Sequence, residues 1–349
     1  MLRGPARERA ERLFDVRAVT ALLDPPSALE PWLVQTFGSV DDVREQTVIK
    51  VTNRVTLEAA AFAPLRARRP IDGTRRTADI KAEIAATVGD PFCHPDTGTP
   101  AHAFGRVRGA HMVSGANAAA ADAHHAVLVF DRHDPLAFDG PLVADLFATG
   151  RAWADRARAD DPDAANYLLL WNCLWRAGGS IIHGHAQVLL GAGPQYARLE
   201  RFRRDRDAYR ADHDADLIAD LVEVHRDVGL AVERGGVMLL AHLAPIKERE
   251  ILVVGRPGMD EREPAFADAV THALSTCRDR LGVISFNLAL WRRPLPDGTA
   301  APGWDGFPPI VRIVDRGDPF SRPSDIGAME LYGTPIVASD PYEVIAALA

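Results

Sequence analysis

The sequence predicts an α+β fold in which one unit is used twice, with antiparallel sheets and helices packed on them. Three observations predict it. Strand, helix, strand, loop and strand patterns follow one another between residues 126 and 190. The same order returns between residues 250 and 314. Between the copies, Gln195 to Glu233 is strongly charged, with helical spacing at Leu217, Leu221 and Val224, as a solvated connecting helix or helix pair would be.

In chain order, residues 1–50 mix charged helix-like segments with the breaker Asp24-Pro25-Pro26 and read as an N-terminal extension. Residues 51–200 form the first half and residues 201–349 the second. Ala126-Val127-Leu128-Val129-Phe130 is a run of strand formers. Asp139-Gly140-Pro141 opens a helix with proline in its first turn, and Leu142, Leu146, Phe147 and Trp153 supply an apolar stripe. Tyr167-Leu168-Leu169-Leu170-Trp171 is a second strand. The loop Arg176-Ala177-Gly178-Gly179-Ser180 leads into a third, His183 to Leu190. In the second copy, Glu250 to Val254 is a strand. Glu263-Pro264 opens a helix striped by Phe266, Val270, Leu274 and Cys277, and Val283 to Trp291 and Pro309 to Val314 are strands. Ile310-Val311-Arg312-Ile313-Val314 stands where the first copy has its histidines. One half is thus built for chemistry and the other for support or substrate binding.

Composition narrows the function. The 349 residues are 47% apolar and 25% charged, as in a soluble globular protein, and the net charge of −8 argues against general nucleic-acid binding. No apolar run reaches the length of a membrane span, and the start Met1-Leu2-Arg3-Gly4-Pro5 lacks a signal-peptide core. Cys93, Cys173 and Cys277 are scattered and odd in number, so a reducing, cytoplasmic setting without disulfides is expected.

The sharpest feature is Gly178-Gly179-Ser180-Ile181-Ile182-His183-Gly184-His185-Ala186-Gln187. Residues two apart on a strand share a face, so His183, His185 and Gln187 are expected to form a polar stripe after a glycine loop able to approach a phosphate. Core strands rarely carry such a stripe, because each buried polar group needs a partner.

Asn172, Gly178, Ser180, His183, His185 and Gln187 together resemble the active-site signature of the galactose-1-phosphate uridylyltransferase family, a branch of the histidine-triad superfamily. That family has Asn, then Gly and Ser, then His-Pro-His-x-Gln; here Gly184 replaces the proline. Val129 to Pro135 resembles the segment in which a histidine ligates zinc. Phe62 to Pro70 resembles one whose two arginines contact the nucleotide, matching Arg66 and Arg69. The likeness spans roughly residues 51–200 and implies a duplicated histidine-triad-like unit, degenerate in its second half.

The resemblance implies a nucleotidyltransferase. His185 attacks the α-phosphorus of a nucleotide donor, and a second phosphate then takes the nucleotidyl group, as neutral imidazole permits near pH 7. Ser180, the amides of Gly178 and Gly179, and Gln187 would supply donors to the phosphoryl oxygens, and Arg66 and Arg69 would clamp them. Asn172 would position the nucleophile or a phosphate, and Asn117 resembles a position near the base. Gln187 favours transfer over hydrolysis, because hydrolases of the superfamily carry a third histidine there and an amide cannot act as an acid or base for water. The implied zinc would use His133 and His183, with Cys93 and Asp96 in place of a Cys-x-x-Cys pair. The family's second, iron-type site has no matching histidines, and no organic cofactor is expected. His124 and His125 read as exposed or supporting, and Lys247 and Glu248 as a surface cluster. Residues 304–308 and 325–330 do not show the family's sugar-contacting pattern.

Three readings therefore stand: transfer between a nucleoside diphosphate sugar and a sugar 1-phosphate, phosphorolysis of a nucleoside diphosphate sugar or dinucleoside polyphosphate, and a non-catalytic nucleotide-binding protein. The resemblance also implies a homodimer.

Overall fold

The computed structural model describes residues 2–68, 79–296 and 302–349. The centre of the molecule is a 9-stranded sheet that belongs to both halves. The first half supplies β4 (Met112–Ala116), β5 (His124–Phe130), β6 (Asn166–Asn172) and β7 (His185–Gly191). The second supplies β8 (Ala231–Arg234), β9 (Val237–Ala241), β10 (Ile251–Val254), β11 (Phe286–Trp291) and β12 (Ile310–Asp315). The order is β4-β5-β7-β6-β11-β12-β10-β9-β8, every neighbour antiparallel. The halves join at β6 and β11, with Asn172 opposite Asn287 and Leu169 opposite Leu290.

One face of this sheet is dry. Ala126, Leu128 and Phe130 of β5 and Ala186, Val188 and Leu190 of β7 share a core with Leu142, Leu146, Phe147 and Trp153 of the helix Gly140–Asp160. Asp139 caps that helix, its carboxylate accepting from the Leu142 amide at 3.1 Å. In the second half, Val253, Leu288, Val311 and Ile313 join the same core beneath Phe266, Val270 and Leu274 of the helix Pro264–Asp279. The alternation of strand side chains thus sends His185 and Gln187 to the opposite face.

On that opposite face the halves differ. Leu240, Leu252, Val254 and Ile310 are covered by Leu199 and Phe202 of the helix Ala197–His213, and by Leu217, Leu221 and Val224 of the helix Leu217–Asp227. The first half leaves its face to a small cluster of Phe92, Val113, Val127 and Val129. That is where the histidines lie.

A second, 4-stranded sheet has the order β1-β2-β3-β13, from β1 (Phe14–Leu22), β2 (Glu45–Asn53), β3 (Ala59–Phe62) and β13 (Ile336–Val337). β13 runs parallel to β3, a departure from wholly antiparallel sheets. The boundary expected at residue 50 falls inside β2, so the N-terminal segment is built into this sheet, which the chain's end completes. The strand expected from His183 begins at His185. The β8–β9 hairpin occupies the end of the expected connector, turning at Gly235 and Gly236, both with positive φ.

Candidate functional site

β7 starts where it does because the chain before it is held against the end of β5. Gly184 donates its amide to the His133 carbonyl at 3.0 Å and accepts from the Phe130 amide at 2.9 Å. A Cβ at Gly184 would come within 2.8 Å of the Phe130 ring and 2.9 Å of the Arg132 carbonyl. Proline has no amide hydrogen and could not make the first bond. Glycine at this position therefore binds the histidine signature to the His133 segment. His183 lies before the first residue of β7, so it is outside the strand that carries His185 and Gln187.

His185 is buried, 6% exposed. Its Nδ1 lies 2.8 Å from the His183 carbonyl, which can only accept, so the proton sits on Nδ1 and the lone pair on Nε2. The edge of the Phe92 ring packs beside the imidazole, centroids 5.0 Å apart. Burial pushes the His185 pKa below its ordinary value, and the bond to the His183 carbonyl opposes this only in part. Burial favours the neutral ring, with Nδ1 fixed and Nε2 without a hydrogen-bond partner among the described residues.

Gln187 is oriented by a residue that the sequence assigned no chemistry. The Ala121 amide donates to His125 Nδ1 at 3.1 Å, so His125 carries its proton on Nε2 and donates to Gln187 Oε1 at 2.9 Å. This leaves the Gln187 NH2 without a protein partner among the described residues. Asn117 stands beside the pair, its amide nitrogen 3.2 Å from His125 Nε2. Asn172 Oδ1 accepts from Asn287 Nδ2 at 2.7 Å, across the seam between the halves.

The glycine loop departs from expectation. The Gly178 amide donates to Trp175 and the Gly179 amide to Leu174, each at 3.0 Å, so neither is free for a phosphate. Their glycine identity has another cause. Gly178 has φ +94°, and a Cβ on Gly179 would lie 2.9 Å from the Asn172 carbonyl. Ser180 follows, exposed at the mouth of the loop. Arg66 is exposed in the short 3-10 helix Pro64–Arg68, beside Asp42, Glu45 and Gln46. Among the described residues it makes no hydrogen bond or ion pair with the histidine strand. Arg69 lies outside the described residues.

Near the start of β7, Asp90, Cys93, His133 and His183 bring one donor atom each within 4.8 Å of one another. Cys93 Sγ lies 3.3 Å from His133 Nδ1 and 3.5 Å from His183 Nδ1. The two Nδ1 atoms are 3.1 Å apart, and Asp90 Oδ1 is 3.8 Å from that of His183. Metal–ligand bonds of 2.0–2.3 Å give a tetrahedron with edges of about 3.3–3.8 Å. The outer nitrogens are already committed: His183 Nε2 donates to the Phe130 carbonyl and His133 Nε2 to that of Ile84, each at 2.9 Å. Both Nδ1 lone pairs therefore face inward, the arrangement that metal-ligating histidines adopt. Asp90 Oδ1 accepts from the amides of Phe92 and Cys93, while its Oδ2 is buried with no hydrogen-bond partner among the described residues. The donor set fits a divalent metal such as zinc.

Asp96, expected in this cluster, is not in it. Asp96 lies in the short helix Pro95–Gly98, where its carboxylate bonds Arg108 and lies 3.6 Å from Arg106. Asp90 takes the place instead. It stands three residues before Cys93, so the spacing of a Cys-x-x-Cys pair is present with Cys93 as its second member. Lys247 and Glu248, expected at the surface, join segments: Lys247 bonds Glu330 at 2.8 Å, and Glu248 accepts from the Ala338 and Ser339 amides, each at 2.9 Å.

No protein-family model matches the chain, and no curated protein matches it. Solved structures do. An ADP-glucose phosphorylase from Arabidopsis thaliana with bound ADP-glucose superposes over 84% of this chain and 95% of its own, with a TM-score of 0.62 and 14% identity. A GalT-like protein from Arabidopsis thaliana covers 75% of this chain and 92% of its own, at a TM-score of 0.61 and 14% identity. A uridylyltransferase covers 86% and 97%, at 0.58 and 16% identity. The likeness at these identities is one of fold: the chain shares the fold of these three structures.

Proposed function

We propose that this chain is a nucleotidyltransferase that carries a nucleoside monophosphate on His185, between a nucleoside diphosphate sugar and a sugar 1-phosphate. The observation that carries this reading is the fixed tautomer of His185. A buried imidazole whose Nδ1–H is bound to a carbonyl presents Nε2 as a neutral nucleophile at pH 7. Nε2 attacks the α-phosphorus, the bond to the leaving phosphate oxygen breaks, and the departing partner takes that electron pair. Positive charge then builds on the ring, and the His183 carbonyl stabilises it through the Nδ1 proton. The Gln187 NH2, held outward by His125, and the hydroxyl of Ser180 supply donors to the phosphoryl oxygens. In the second step a phosphate oxygen of the acceptor attacks the same phosphorus and Nε2 leaves.

The experiment is intact-protein mass spectrometry after brief exposure to a panel of nucleoside diphosphate sugars. An acid-labile gain of one nucleoside monophosphate, absent in His185→Ala, is the expected result. A gain that persists in His185→Ala would remove the nucleophile assignment, and no gain with any donor would favour a non-catalytic nucleotide-binding protein.

A phosphorolytic variant of the same chemistry is favoured by one finding, that a solved structure sharing this fold is an ADP-glucose phosphorylase. There inorganic phosphate would discharge nucleotidyl-His185. Turnover that requires inorganic phosphate, and ignores sugar 1-phosphates, would select it.

We further propose that Asp90, Cys93, His133 and His183 hold zinc. When bound, the metal would cross-link the segments around residues 90, 133 and 183 and so steady the carbonyl that fixes His185. A homodimer is proposed as well. It is supported by apolar side chains left open on β1 and after it: Val16 at 59%, Leu22 at 77% and Trp32 at 44% exposure. A monomeric mass by light scattering at micromolar concentration would refute it.

A further inference from the structure

In the second half, Arg316 and Asn287 form a short chain of hydrogen bonds that ends at Asn172. A guanidinium can only donate, and an Arg316 nitrogen donates to Asn287 Oδ1. Asn287 must therefore direct its NH2 the other way. There it meets two acceptors, the Ala177 carbonyl at 2.8 Å and Asn172 Oδ1 at 2.7 Å. The backbone carbonyl cannot donate, so it confirms the orientation independently. Asn172 in turn has its oxygen committed, and among the described residues its NH2 has no hydrogen-bond partner. That NH2 lies beside the glycine loop, with its nitrogen 3.9 Å from where a Cβ on Gly178 would sit. Arg316 is held in place by Asp325, through bonds of 2.5 and 3.1 Å.

We infer that Asn287 and Arg316 are positioning residues that fix which end of the Asn172 amide meets the transferred phosphate. The inference rests on the nucleotidyl-transfer reading. An amide is nearly symmetric in shape but not in charge: its NH2 attracts a phosphoryl oxygen and its carbonyl repels it. Left free, Asn172 could present either end. Fixed by Asn287, it presents only the donor, without reorganisation when negative charge develops. The degenerate half, which carries no histidine strand, thereby sets the polarity of a group in the catalytic half.

Asn287→Asp is the informative variant. It keeps the size and the bond to Arg316, but offers Asn172 a carboxylate oxygen where an NH2 had been. The Asn172 amide then turns its NH2 toward Asp and its carbonyl toward the phosphate. The rate of nucleotidyl-His185 formation in a single turnover is measured for the wild type, Asn287→Asp, Asn172→Ala and the double variant. Loss of a hydrogen bond to a charged group predicts slowing of about tenfold or more in Asn287→Asp. In the Asn172→Ala background the same change is expected to cost nothing further. A purely structural role would instead slow both backgrounds equally, and that result, or a wild-type rate in Asn287→Asp, overturns the inference. Should Asn287→Asp not fold, Arg316→Met is expected to slow the step and Arg316→Lys, also donor-only, to recover most of the loss. Equal rates in wild type, Arg316→Met and Arg316→Lys would overturn it. A wild type that forms no adduct overturns the nucleotidyl-transfer reading itself, whereas an adduct formed equally in every variant overturns only the positioning role.

Discussion

Gly184 shows how a single residue joins two parts of the site. Its amide bonds the His133 carbonyl, and its lack of a side chain lets Phe130 and Arg132 close upon it. Gly184→Pro would leave that carbonyl unpartnered and add ring atoms where there is no room. A loss of about 1–3 kcal/mol of stability follows from the unpaired carbonyl alone. The loss is expected in urea denaturation, together with weaker zinc retention, because His133 and His183 flank the broken bond. An unchanged midpoint would show that the glycine carries no such duty. At this scale the sequence was informative wherever chemistry depends on local spacing. His185 and Gln187 are two apart, and the structure places them on one face. Asn287 was invisible, because its partner is 115 residues away and only the sheet brings them together. Asp90 carries no mark of its role in the sequence, where Cys93 reads as the first member of a pair with Asp96.

At the scale of elements, the helix Leu217–Asp227 is tied to the sheet's second half by a buried histidine. His225 Nδ1 donates to the Leu221 carbonyl at 2.7 Å, and Nε2 accepts from the Leu243 amide at 3.1 Å. Both bonds need the neutral ring, and burial lowers its pKa from 6.5 to about 3. Below pH 6.5 the unfolded chain takes up a proton that the folded chain refuses. Stability present above that pH is therefore lost as pH falls toward 3, by at most about 1.4 kcal/mol per pH unit from this group. Urea denaturation at pH 7 and pH 5 should show the decline, and His225→Gln should flatten it; an equal slope in the variant would assign the decline elsewhere. Elements with a clear apolar period, such as the helix Gly140–Asp160 and β5, were legible in sequence. β1 was not, because the alternation from Phe14 to Ala18 stops at Val19 and nearly all of the strand is exposed, so the pattern marks no buried face. The β8–β9 hairpin did carry a signal, the adjacent Gly235 and Gly236, masked by the charged stretch before it.

At the scale of the molecule, the proposed zinc links three distant segments of one half. Removing it with a chelator is expected to lower the melting temperature and to slow nucleotidylation, while the second half stays folded by near-ultraviolet circular dichroism of its tryptophans. A melting temperature indifferent to chelation, with no zinc found by elemental analysis, would remove the metal from the account. The duplicated architecture was readable from the repeated order of patterns, but not the fact that both copies share one sheet, which no local period encodes. The seam between β6 and β11 has a further consequence. A strand whose flank is filled by its own chain becomes an open edge once that chain is cut, and open edges recruit partners. A fragment ending after β7 would expose the whole flank of β6 and is expected to pair with a second copy of itself, antiparallel. Such a dimer would hold two histidine strands in one sheet, related by symmetry, and would contain no Asn287.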